Sequence, residues 1–500
     1  MNKRNIINFL SAIFCQVVIL AFGLIIPKIT VSSLGSEANG FLSTINEIFV
    51  YISLVEAGLG LALLNALYKP IHENDKETIS GLLTSARRKY KVISVIYFLA
   101  SIVVGIVYPL FLKSSSLSYW DMCLSIVSHG IGGASTLFLS SCLVHFITAS
   151  GHNYVKQWVH LLIYILTSVS KIVAILLTGN IIIINVAYAG ICVVEGLIYT
   201  LYFKKKFKNL SMKSVNPISE PLKEQKYFLV HQISGAIFGA TDLMVISIFC
   251  SLNDASIYSV YSLLFTAIAT ILTSIFDGLK YMLGDAYAKN LDTYKKIHDI
   301  FEAVYLAVMF ALMFVAYSLA NGFIGVYMAN ADINYVNRWL PLLFVVCKIL
   351  SSCRAVTNNT QNISHHARQN IPYAILESII NLTVSLVLVH FIGVYGVLFG
   401  TIAALLFRTN QTIMYSNKVI LHRSSWNTYK YILLYSAIFS IGGLLFELVL
   451  KPCISNYLEF IIWGVVTSFC VLSVYAIVCL IINKDVRMIF FNLKKLKSKA

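Results

Sequence analysis

About 14 apolar segments, each long enough for a helix that crosses a membrane, follow one another along almost the whole chain. A spanning helix needs roughly 20 apolar residues, because the hydrocarbon core is about 30 Å thick and a helix rises about 1.5 Å per residue. Inside lipid every backbone polar group must be paired within the protein, and a helix does this on its own. The sequence therefore predicts an all-α polytopic membrane protein with about 14 transmembrane helices.

The composition agrees with a chain whose main solvent is the bilayer. Apolar residues make up 58% of the 500 residues and charged residues 12%, and the mean hydropathy is +0.78. A soluble domain has roughly 45–50% apolar and about 25% charged residues. These values exclude a soluble globular protein.

The basic residues are distributed as membrane topology requires. The chain has 38 Lys and Arg against 22 Asp and Glu, a net charge of +16. With a cytoplasmic N-terminus, about 30 basic residues fall in cytoplasmic loops and ends, and about 4 fall outside. We therefore predict an even number of spans with both termini cytoplasmic, and no binding of nucleic acid. The outer basic residues are Lys28, Lys113, Arg338 and Lys451, and those inside spans are Lys171, Lys348, Arg354 and Arg408.

One long polar interruption near the middle divides the chain. It runs over residues 204–226 and contains Pro217 and Pro221. The predicted organisation is an N-terminal six-helix lobe (1–203), a basic cytoplasmic linker (204–226), a C-terminal six-helix lobe (227–417), and two extra helices with a basic tail (418–500). A basic amphipathic segment follows the second span of each lobe, at 72–91 and 280–296, which favours an internal parallel repeat.

Motifs of membrane enzymes and pumps are absent from the sequence. There is no phosphate-binding loop, no His-Glu-x-x-His and no Gly-x-Ser-x-Gly. The longest outer loop, 321–335, is short for an enzyme that must hold a glycan acceptor. Adjacent residues His365 and His366 point about 100° apart on a helix, so a shared metal ion is not expected. We predict no catalytic residues, no cofactor and no metal site.

Several spans carry polar residues on one face, at steps of three and four. Because ionisable groups inside a bilayer are costly, they usually face a partner or a water-filled cavity. The pattern indicates a transporter, although helix-to-helix pairing, such as Glu56 or Asp242 with Lys171 or Lys348, would also explain it. The spacing Gly235-x-x-x-Gly239 favours close helix packing. The main polar positions are Glu56 in span two; Gln157, His160, Tyr164, Ser168 and Lys171 in span five; His231 and Asp242 in span seven; Ser262 and Thr266 in span eight; Lys348 in span ten; and Glu377 and Asn381 in span eleven.

Short motifs near the N-terminus give the chain a resemblance to a known family. They are Ile25-Ile-Pro-Lys-Ile-Thr-Val-Ser-Ser-Leu-Gly35, Gly40-Phe-Leu and Glu56-Ala-Gly-Leu-Gly-Leu-Ala-Leu, followed by Arg87-Arg-Lys-Tyr-Lys and Thr148-Ala-Ser-Gly-His-Asn-Tyr. With these motifs and its span pattern, the chain resembles the Wzx-type polysaccharide flippases of the multidrug/oligosaccharidyl-lipid/polysaccharide exporter superfamily.

The resemblance implies two six-helix lobes around a central cavity, with helices thirteen and fourteen outside it, and alternating access. It implies transport of an undecaprenyl-diphosphate-linked oligosaccharide across the bacterial plasma membrane for O-antigen, capsule or exopolysaccharide synthesis. Anionic phospholipids, a polysaccharide polymerase and chain-length machinery would be partners. The implied diphosphate ligands are Lys28, Lys171, Lys348 and Arg354; the sugar-facing residues are His160, Tyr164, Ser168, Ser262, Thr266 and Asn381; and the ion-coupling candidates are Glu56, His231, Asp242 and Glu377.

Two other functions remain open at this stage. An ion-coupled efflux antiporter for organic cations would use carboxylates such as Asp242 and Glu56, but Lys171 and Lys348 would repel its substrate. A membrane enzyme of envelope glycan assembly fits the short outer loops poorly.

Overall fold

The computed structural model describes residues 3–208, 210–212, 216–450, 452 and 454–488, and this part of the chain is helical with no strand. Several longer helices extend well beyond the length of a single bilayer crossing. The helices are α1 (Lys3–Leu34), α2 (Ser36–Ile52), α3 (Leu59–Glu73), α4 (Lys76–Val107), α5 (Tyr119–Leu139), α6 (Ser141–Ala149), α7 (Asn153–Thr178), α8 (Ile181–Lys206), α9 (Gln225–Phe249), α10 (Leu252–Lys289), α11 (Leu291–Tyr327), α12 (Leu340–Cys353), α13 (Ala355–Ile363), α14 (Ile371–Ile392), α15 (Val394–Tyr415), α16 (Trp426–Leu445) and α17 (Tyr457–Ile482).

The predicted fold class is confirmed. Within the described residues, 13 helical segments are long and apolar enough to cross a membrane, and Gly235–Phe249 is a shorter apolar helix at the position of the seventh predicted span. The boundary between the fifth and sixth spans lies at Gly179 and Asn180. Gly179 takes a left-handed conformation with φ +62°, and the Asn180 side chain accepts a hydrogen bond of 2.8 Å from the N–H of Ile182 at the start of α8.

The chain forms two compact units. Unit 1 comprises Met1–Ser259 with Ala331–Ile333, and unit 2 comprises Val260–Asn330 with Asn334–Ala500. The helix α9 packs on α2 within unit 1. The predicted lobe limits, 1–203, 204–226, 227–417 and 418–500, stay a prediction.

Unit 1 has a core formed by α2, α4, α5 and α8, in which Phe41, Tyr90 and Tyr199 are fully buried. The start of α10 lies directly against α2, since a Cβ at Gly40 would overlap the carbonyl oxygen of Leu252. Only glycine fits at position 40, which gives a physical reason for the glycine in the Gly40-Phe-Leu motif.

Unit 2 is organised around α11, which contacts α12, α16 and α17. Three aromatic rings join α11 to the two helices that follow the predicted C-terminal lobe. The ring centroid of Phe310 lies 5.9 Å from that of Tyr435 and 6.4 Å from that of Tyr475. The extra helices are therefore packed onto α11 through an aromatic contact.

Two helix breaks recur at matching positions of the sequence. The fourth span is broken at Ser140 and the tenth at Arg354, and each break is followed by a helix of 9 residues, α6 and α13. The fourth and tenth spans have the same rank in the two predicted lobes, so the breaks support an internal repeat.

The close-packing interpretation of Gly235 and Gly239 is wrong for the described part of the chain. A Cβ placed on either glycine has no described atom within 4 Å. The spacing permits a close helix contact but does not create one without a facing helix.

Candidate substrate and ion sites

Three spans are interrupted, and two of them, the second and the tenth, carry predicted site residues. The second span passes from α2 through a short 3-10 turn, Ser53–Glu56, into α3, and the fourth and tenth spans are broken at Ser140 and Arg354. A break frees backbone N–H and C=O groups at membrane depth, where they are tolerated only when buried in protein or facing a water-filled site. At Ser140 the residue is fully buried and its backbone groups are hydrogen-bonded to Thr136 and Val144, so that break is accommodated by the protein itself.

The break in the second span places Glu56 beside groups from α4 and α6 of unit 1. Its Oε1 accepts a hydrogen bond of 3.2 Å from the Tyr90 hydroxyl and lies 3.9 Å from Nε2 of His145. Glu56 was a predicted coupling residue, but His145 was not predicted. No periodicity within one helix could have linked them, because they belong to different spans.

The predicted polar residues of α7 have different surroundings. His160 is exposed and Ser168 is buried, while the Tyr164 hydroxyl donates a hydrogen bond of 3.1 Å to the carbonyl oxygen of Ile19 in α1. Lys171 is half-buried and interacts electrostatically with His129. The contact of Tyr164 with α1 is the helix-packing role that the sequence had left open.

The His129 ring lies between two aromatic rings in unit 1. Its centroid is 4.5 Å from that of Phe49 and 4.3 Å from that of Tyr188. Its Nδ1 lies 3.1 Å from Oδ1 of Asn185, whose Nδ2 donates to the carbonyl oxygen of Ile181. The amide orientation of Asn185 makes Nδ1 of His129 the donor.

Asp242 on α9 accepts a hydrogen bond from a tyrosine hydroxyl of unit 1. Its Oδ2 accepts a hydrogen bond of 2.7 Å from the Tyr258 hydroxyl, and it interacts electrostatically with the carboxylate of Glu47 on α2. The neighbouring Thr241 is hydrogen-bonded to the Tyr51 hydroxyl. Two carboxylates with nearby hydroxyls suit a cation. The side chain of His231, a further predicted coupling residue, lies outside the described residues.

The break in the tenth span lies at a cluster of charges in unit 2. Arg354 donates a hydrogen bond of 2.7 Å from Nη1 to Oε1 of Glu377, and Nε of Arg408 lies 3.4 Å from the other carboxylate oxygen. The exposed fractions of the side chains are 20% for Arg354, 8% for Arg408 and 7% for Glu377. The cluster therefore carries one surplus positive charge in a largely buried place.

The structure thus joins a predicted diphosphate ligand, Arg354, to a predicted coupling residue, Glu377. It also adds Arg408, which the sequence showed only as a basic residue inside a span. Arg408 is held further by Oδ1 of Asn370 at 3.3 Å and by the side chain of Gln411. Its position within an apolar helix was the signal that could have identified it.

The remaining predicted site residues make single contacts or are partly buried on their helices. Nζ of Lys348 donates a hydrogen bond of 3.1 Å to Oγ1 of Thr266, so a predicted diphosphate ligand and a predicted sugar-facing residue are adjacent in unit 2. Asn381 is fully buried and donates to Oγ1 of Thr401 at 2.9 Å. Ser262 is half-buried on α10, and Lys28 is half-buried on α1 of unit 1.

One group of side chains in the described residues has the spacing of a metal site. Ligand atoms of His298, Asp299 and Glu302 lie within 4.8 Å of one another in unit 2. However, Arg423 lies among them: its Nη1 is 2.6 Å from Oδ1 of Asp299, and its Nη2 is 3.1 Å from Nδ1 of His298. The guanidinium takes the place that a cation would need, so this group is an ionic contact between protein segments.

Two adjoining cavities open along α11, α12 and α16 of unit 2. Their volumes are about 560 and 550 Å³, and they share Tyr317, Arg338 and Glu447. The larger cavity is lined mainly by apolar side chains, and the Tyr317 hydroxyl donates a hydrogen bond of 2.6 Å to Glu447 at its polar end. The Arg338 guanidinium lies 5.4 Å from the Trp339 ring centroid. This groove could not be predicted from the sequence, because its walls come from three separate spans.

Comparisons with known proteins rest on structure alone, since no family model and no curated protein matches the sequence. The lipid II flippase MurJ in an inward closed conformation is similar to this chain with a TM-score of 0.70 and 13% identity, over 94% of this chain and 98% of MurJ. An inward-facing multidrug resistance MATE family transporter of the MOP superfamily gives a TM-score of 0.66 and 14% identity, over 80% and 95% of the two chains.

The MATE multidrug transporter DinF-BH, in a complex with a ligand, gives a TM-score of 0.58 and 14% identity, over 83% of this chain and 96% of the transporter. These solved structures are transporters and a flippase, and their descriptions name both lipid II and drugs. At this level of identity the likeness concerns the fold. The protein is therefore a multi-pass membrane protein with the fold shared by MATE transporters and the lipid II flippase MurJ.

Proposed function

We propose that the protein is a flippase that moves undecaprenyl-diphosphate-linked oligosaccharide repeat units across the bacterial plasma membrane by alternating access. Its product would feed surface polysaccharide synthesis, with both termini of the chain in the cytoplasm. The resemblance of the sequence to Wzx-type flippases and the likeness of the fold to MurJ support this proposal. An association with anionic phospholipids, the polymerase and chain-length machinery belongs to the same proposal.

The observation that carries the proposal is the surplus positive charge at the break of the tenth span. Two guanidiniums, Arg354 and Arg408, meet one carboxylate, Glu377, and the cluster is largely buried. Arginine binds phosphate oxygens through two parallel N–H donors, and burial strengthens the attraction. An organic cation would be repelled there. We assign Arg354 and Arg408 to the diphosphate, with Lys348 of the same unit as a further cationic ligand. The roles of Lys28 and Lys171 in unit 1 stay predictions.

The apolar groove of unit 2 adds a place for the lipid part of such a substrate. A polyprenyl chain needs a long apolar surface, which a small soluble drug does not require. The groove is bounded by α16, one of the two helices that follow the predicted C-terminal lobe, and Arg338 lies at its polar end.

The test is a deletion strain scored for surface polysaccharide and for lipid-linked repeat units, and complemented with the wild type, Arg354→Lys, Arg408→Lys or Lys348→Ala. The lysine variants keep the charge but lose the paired donors, so we expect reduced polymer with repeat units held in the inner leaflet. Arg368→Ala is the matched control, because Arg368 is an exposed arginine on a nearby turn. The amount of each variant in the membrane is measured in parallel.

Full polymer in the deletion strain would refute the proposal, and normal rescue by both lysine variants would remove the role of the arginine pair.

A second candidate function is an antiporter for organic cations, favoured by the carboxylates of Glu47 and Asp242 in unit 1. In that case deletion would alter drug tolerance and leave the polysaccharide intact.

A further inference from the structure

A chain of buried hydrogen bonds, here called the amide relay, runs from Arg408 into the short helix α13 of unit 2. The Arg408 guanidinium donates from Nη1 to Oδ1 of Asn370 at 3.3 Å, and Nδ2 of Asn370 donates to Oε1 of Gln361. Nε2 of Gln361 then donates to Oγ of Ser416 at 2.9 Å, and this hydroxyl donates to the carbonyl oxygen of Thr357 at 2.8 Å. Asn370 is 8% exposed, and the three residues that follow it in the relay are fully buried.

The direction of every bond in the amide relay is fixed by its two ends. A guanidinium can only donate, so Asn370 must present its oxygen to Arg408 and its amide nitrogen to Gln361. At the other end, Nε2 of Gln361 also donates to the carbonyl oxygen of Thr412 at 3.1 Å, and a carbonyl oxygen can only accept. Both amides are therefore held in one orientation, since a flip of either would bring two donors or two acceptors together.

The amide relay joins the helices that carry the charged cluster of unit 2. Gln361 lies on α13, which begins directly after Arg354 at the break of the tenth span. Asn370 directly precedes α14, the helix that carries Glu377, and Arg408 lies on α15. The spacing of the two guanidiniums around the carboxylate therefore depends on the relay as well as on the ion pairs.

The contacts of the two arginines leave one nitrogen of each for a ligand. Nε of Arg408 faces Glu377, and its Nη1 donates to Asn370 and to the side chain of Gln411. Arg354 uses Nη1 for the carboxylate. Within the residues that the structure describes, no contact uses Nη2 of either arginine. A diphosphate presents two phosphoryl groups, one for each guanidinium.

We propose that Gln361 and Asn370 are positioning residues of the diphosphate site. They hold Arg408 through Nη1, which keeps its Nη2 for one phosphoryl group while Arg354 binds the other. Two guanidiniums at a fixed spacing favour a diphosphate over a single phosphate, because less freedom is lost when the second phosphoryl group binds. The selectivity rests on the proposed function, whereas the restraint of Arg408 does not.

The restraint is measured by chemical modification of arginine in the purified full-length protein. Phenylglyoxal reacts with accessible guanidiniums, and mass spectrometry of peptides gives the rate at Arg408 relative to the exposed Arg368. Gln361→Leu and Asn370→Ala interrupt the amide relay, so we expect modification of Arg408 to become faster by roughly tenfold. Gln369→Leu, which changes an exposed glutamine of the turn before α14, is the matched control and is expected to leave the rate unchanged.

A milder variant at the far end of the amide relay provides a second measurement. Ser416→Ala removes one acceptor of Gln361 but leaves the carbonyl oxygen of Thr412, so a smaller increase of the rate at Arg408 is expected. If Gln361→Leu does not fold, Ser416→Ala decides alone. A rate at Arg408 that equals the wild-type rate in every folded relay variant would overturn the inference.

Selectivity is measured by calorimetric binding of inorganic diphosphate and inorganic phosphate to the wild type and the variants. The wild type is expected to bind diphosphate at least about tenfold more tightly than phosphate. Gln361→Leu and Asn370→Ala are expected to lose most of this preference while they still bind phosphate. General damage to the fold would weaken the binding of both anions alike, so the ratio of the two affinities reports positioning.

The two measurements distinguish this inference from the proposed function. If the wild type binds neither anion and Gln361→Leu still exposes Arg408, the diphosphate site of the proposed function fails while the restraint stands. If the wild type prefers diphosphate and the relay variants keep both the preference and the wild-type rate at Arg408, the proposed function stands and the positioning role fails.

Discussion

At the scale of single residues, Glu377 is the counter-ion of two arginines. Its oxygens lie 2.7 Å from Nη1 of Arg354 and 3.4 Å from Nε of Arg408. A buried ion pair contributes little net stability, but removal of one partner leaves an uncompensated charge in a poorly solvated place. The carboxylate therefore contributes to stability by balancing the charge of the two arginines, even when the arginines serve a ligand.

We expect Glu377→Gln to lower the free energy of unfolding by about 3 kcal/mol, since both guanidiniums lose their counter-ion. Thermal unfolding of the purified protein in detergent measures this change. Added inorganic diphosphate is expected to restore part of the lost stability, because it supplies negative charge to the same two arginines.

The matched control is Glu73→Gln, which removes a carboxylate 3.9 Å from Lys69 in an exposed pair. Exposed pairs contribute about 0–1 kcal/mol. Equal stability of wild type and Glu377→Gln would show that the arginines are solvated, and the diphosphate site would lose its physical basis.

The sequence could predict single residues of this site but not their partners. Arg354 and Glu377 were both predicted because a charged side chain inside an apolar span is costly and usually faces a partner or a ligand. Helical phase shows which residues share a face of one helix, and it says nothing about which helix lies opposite. For that reason Arg408 was not assigned to the site, although its Nε lies 3.4 Å from Glu377.

At the scale of helices, a polar network connects the N-terminal part of α11 with the segment between α15 and α16. Arg423 contacts Asp299 and His298, while Oγ1 of Thr428 donates a hydrogen bond of 2.9 Å to Oε2 of Glu302. Both His298 and Glu302 are fully buried. Within unit 2, the network joins the start of α16, the first of the two extra helices, to α11.

We expect Arg423→Met to destabilise unit 2 by about 3 kcal/mol, because Asp299 and Glu302 would lose their shared cation. The segment 421–425 is then expected to become the first site of limited proteolysis. Lys430→Met, a change of a nearby cation that lies over the Tyr431 ring, is the comparison variant. Identical cleavage patterns in wild type and Arg423→Met would show that the network does not hold the extra helices.

The start of α4 depends on Asp75, an exposed residue that accepts hydrogen bonds from the N–H groups of Glu77 and Thr78 at 3.1 and 3.0 Å. Hydrogen bonds from Thr78 lower the pKa of the Asp75 carboxyl. Because the folded pKa lies below the unfolded value of about 3.9, the cap contributes fully above that pH and is lost as the pH falls through the lowered value.

We therefore expect Asp75→Ala to increase amide hydrogen exchange of Thr78 at neutral pH, with Asp75→Asn retaining most of the protection, since asparagine also caps helices well. Wild type is expected to approach the alanine variant only at strongly acidic pH. Exchange that is equally slow in the wild type and Asp75→Ala would contradict this role of the cap.

The order of the membrane spans and their approximate number could be predicted from the length of the apolar segments. The boundary at Gly179 and Asn180 could be predicted from the turn and cap chemistry of those residues. The breaks within the second, fourth and tenth spans could not. The residues around Ser140 and Arg354 have no proline, the strongest sequence signal for a helix break. At the first break the hydroxyl groups of Ser140 and Ser141 donate to the carbonyl oxygen of Thr136, a type of contact that bends a helix but that the sequence does not reveal. Hydropathy reports how long a span is, but not whether it is continuous.

At the scale of the whole molecule, the proposed substrate couples transport to the membrane potential. A diphosphate carries about two negative charges, and each is worth roughly 2.3 kcal/mol per 100 mV when it crosses completely. An inside-negative potential therefore favours outward movement by about 4 to 5 kcal/mol.

In reconstituted vesicles with an imposed potassium diffusion potential of about 100 mV, we expect the ratio of lipid-linked diphosphate sugar between leaflets to change by more than about 10³-fold. A monophosphate-linked analogue is a phosphodiester with one negative charge, about half that of the diphosphate, and is expected to show about half the logarithm of that ratio. If the ratio does not respond to the potential for either lipid, the diphosphate does not cross as an uncompensated anion. The surplus charge of Arg354 and Arg408 would then serve binding without setting the direction of transport.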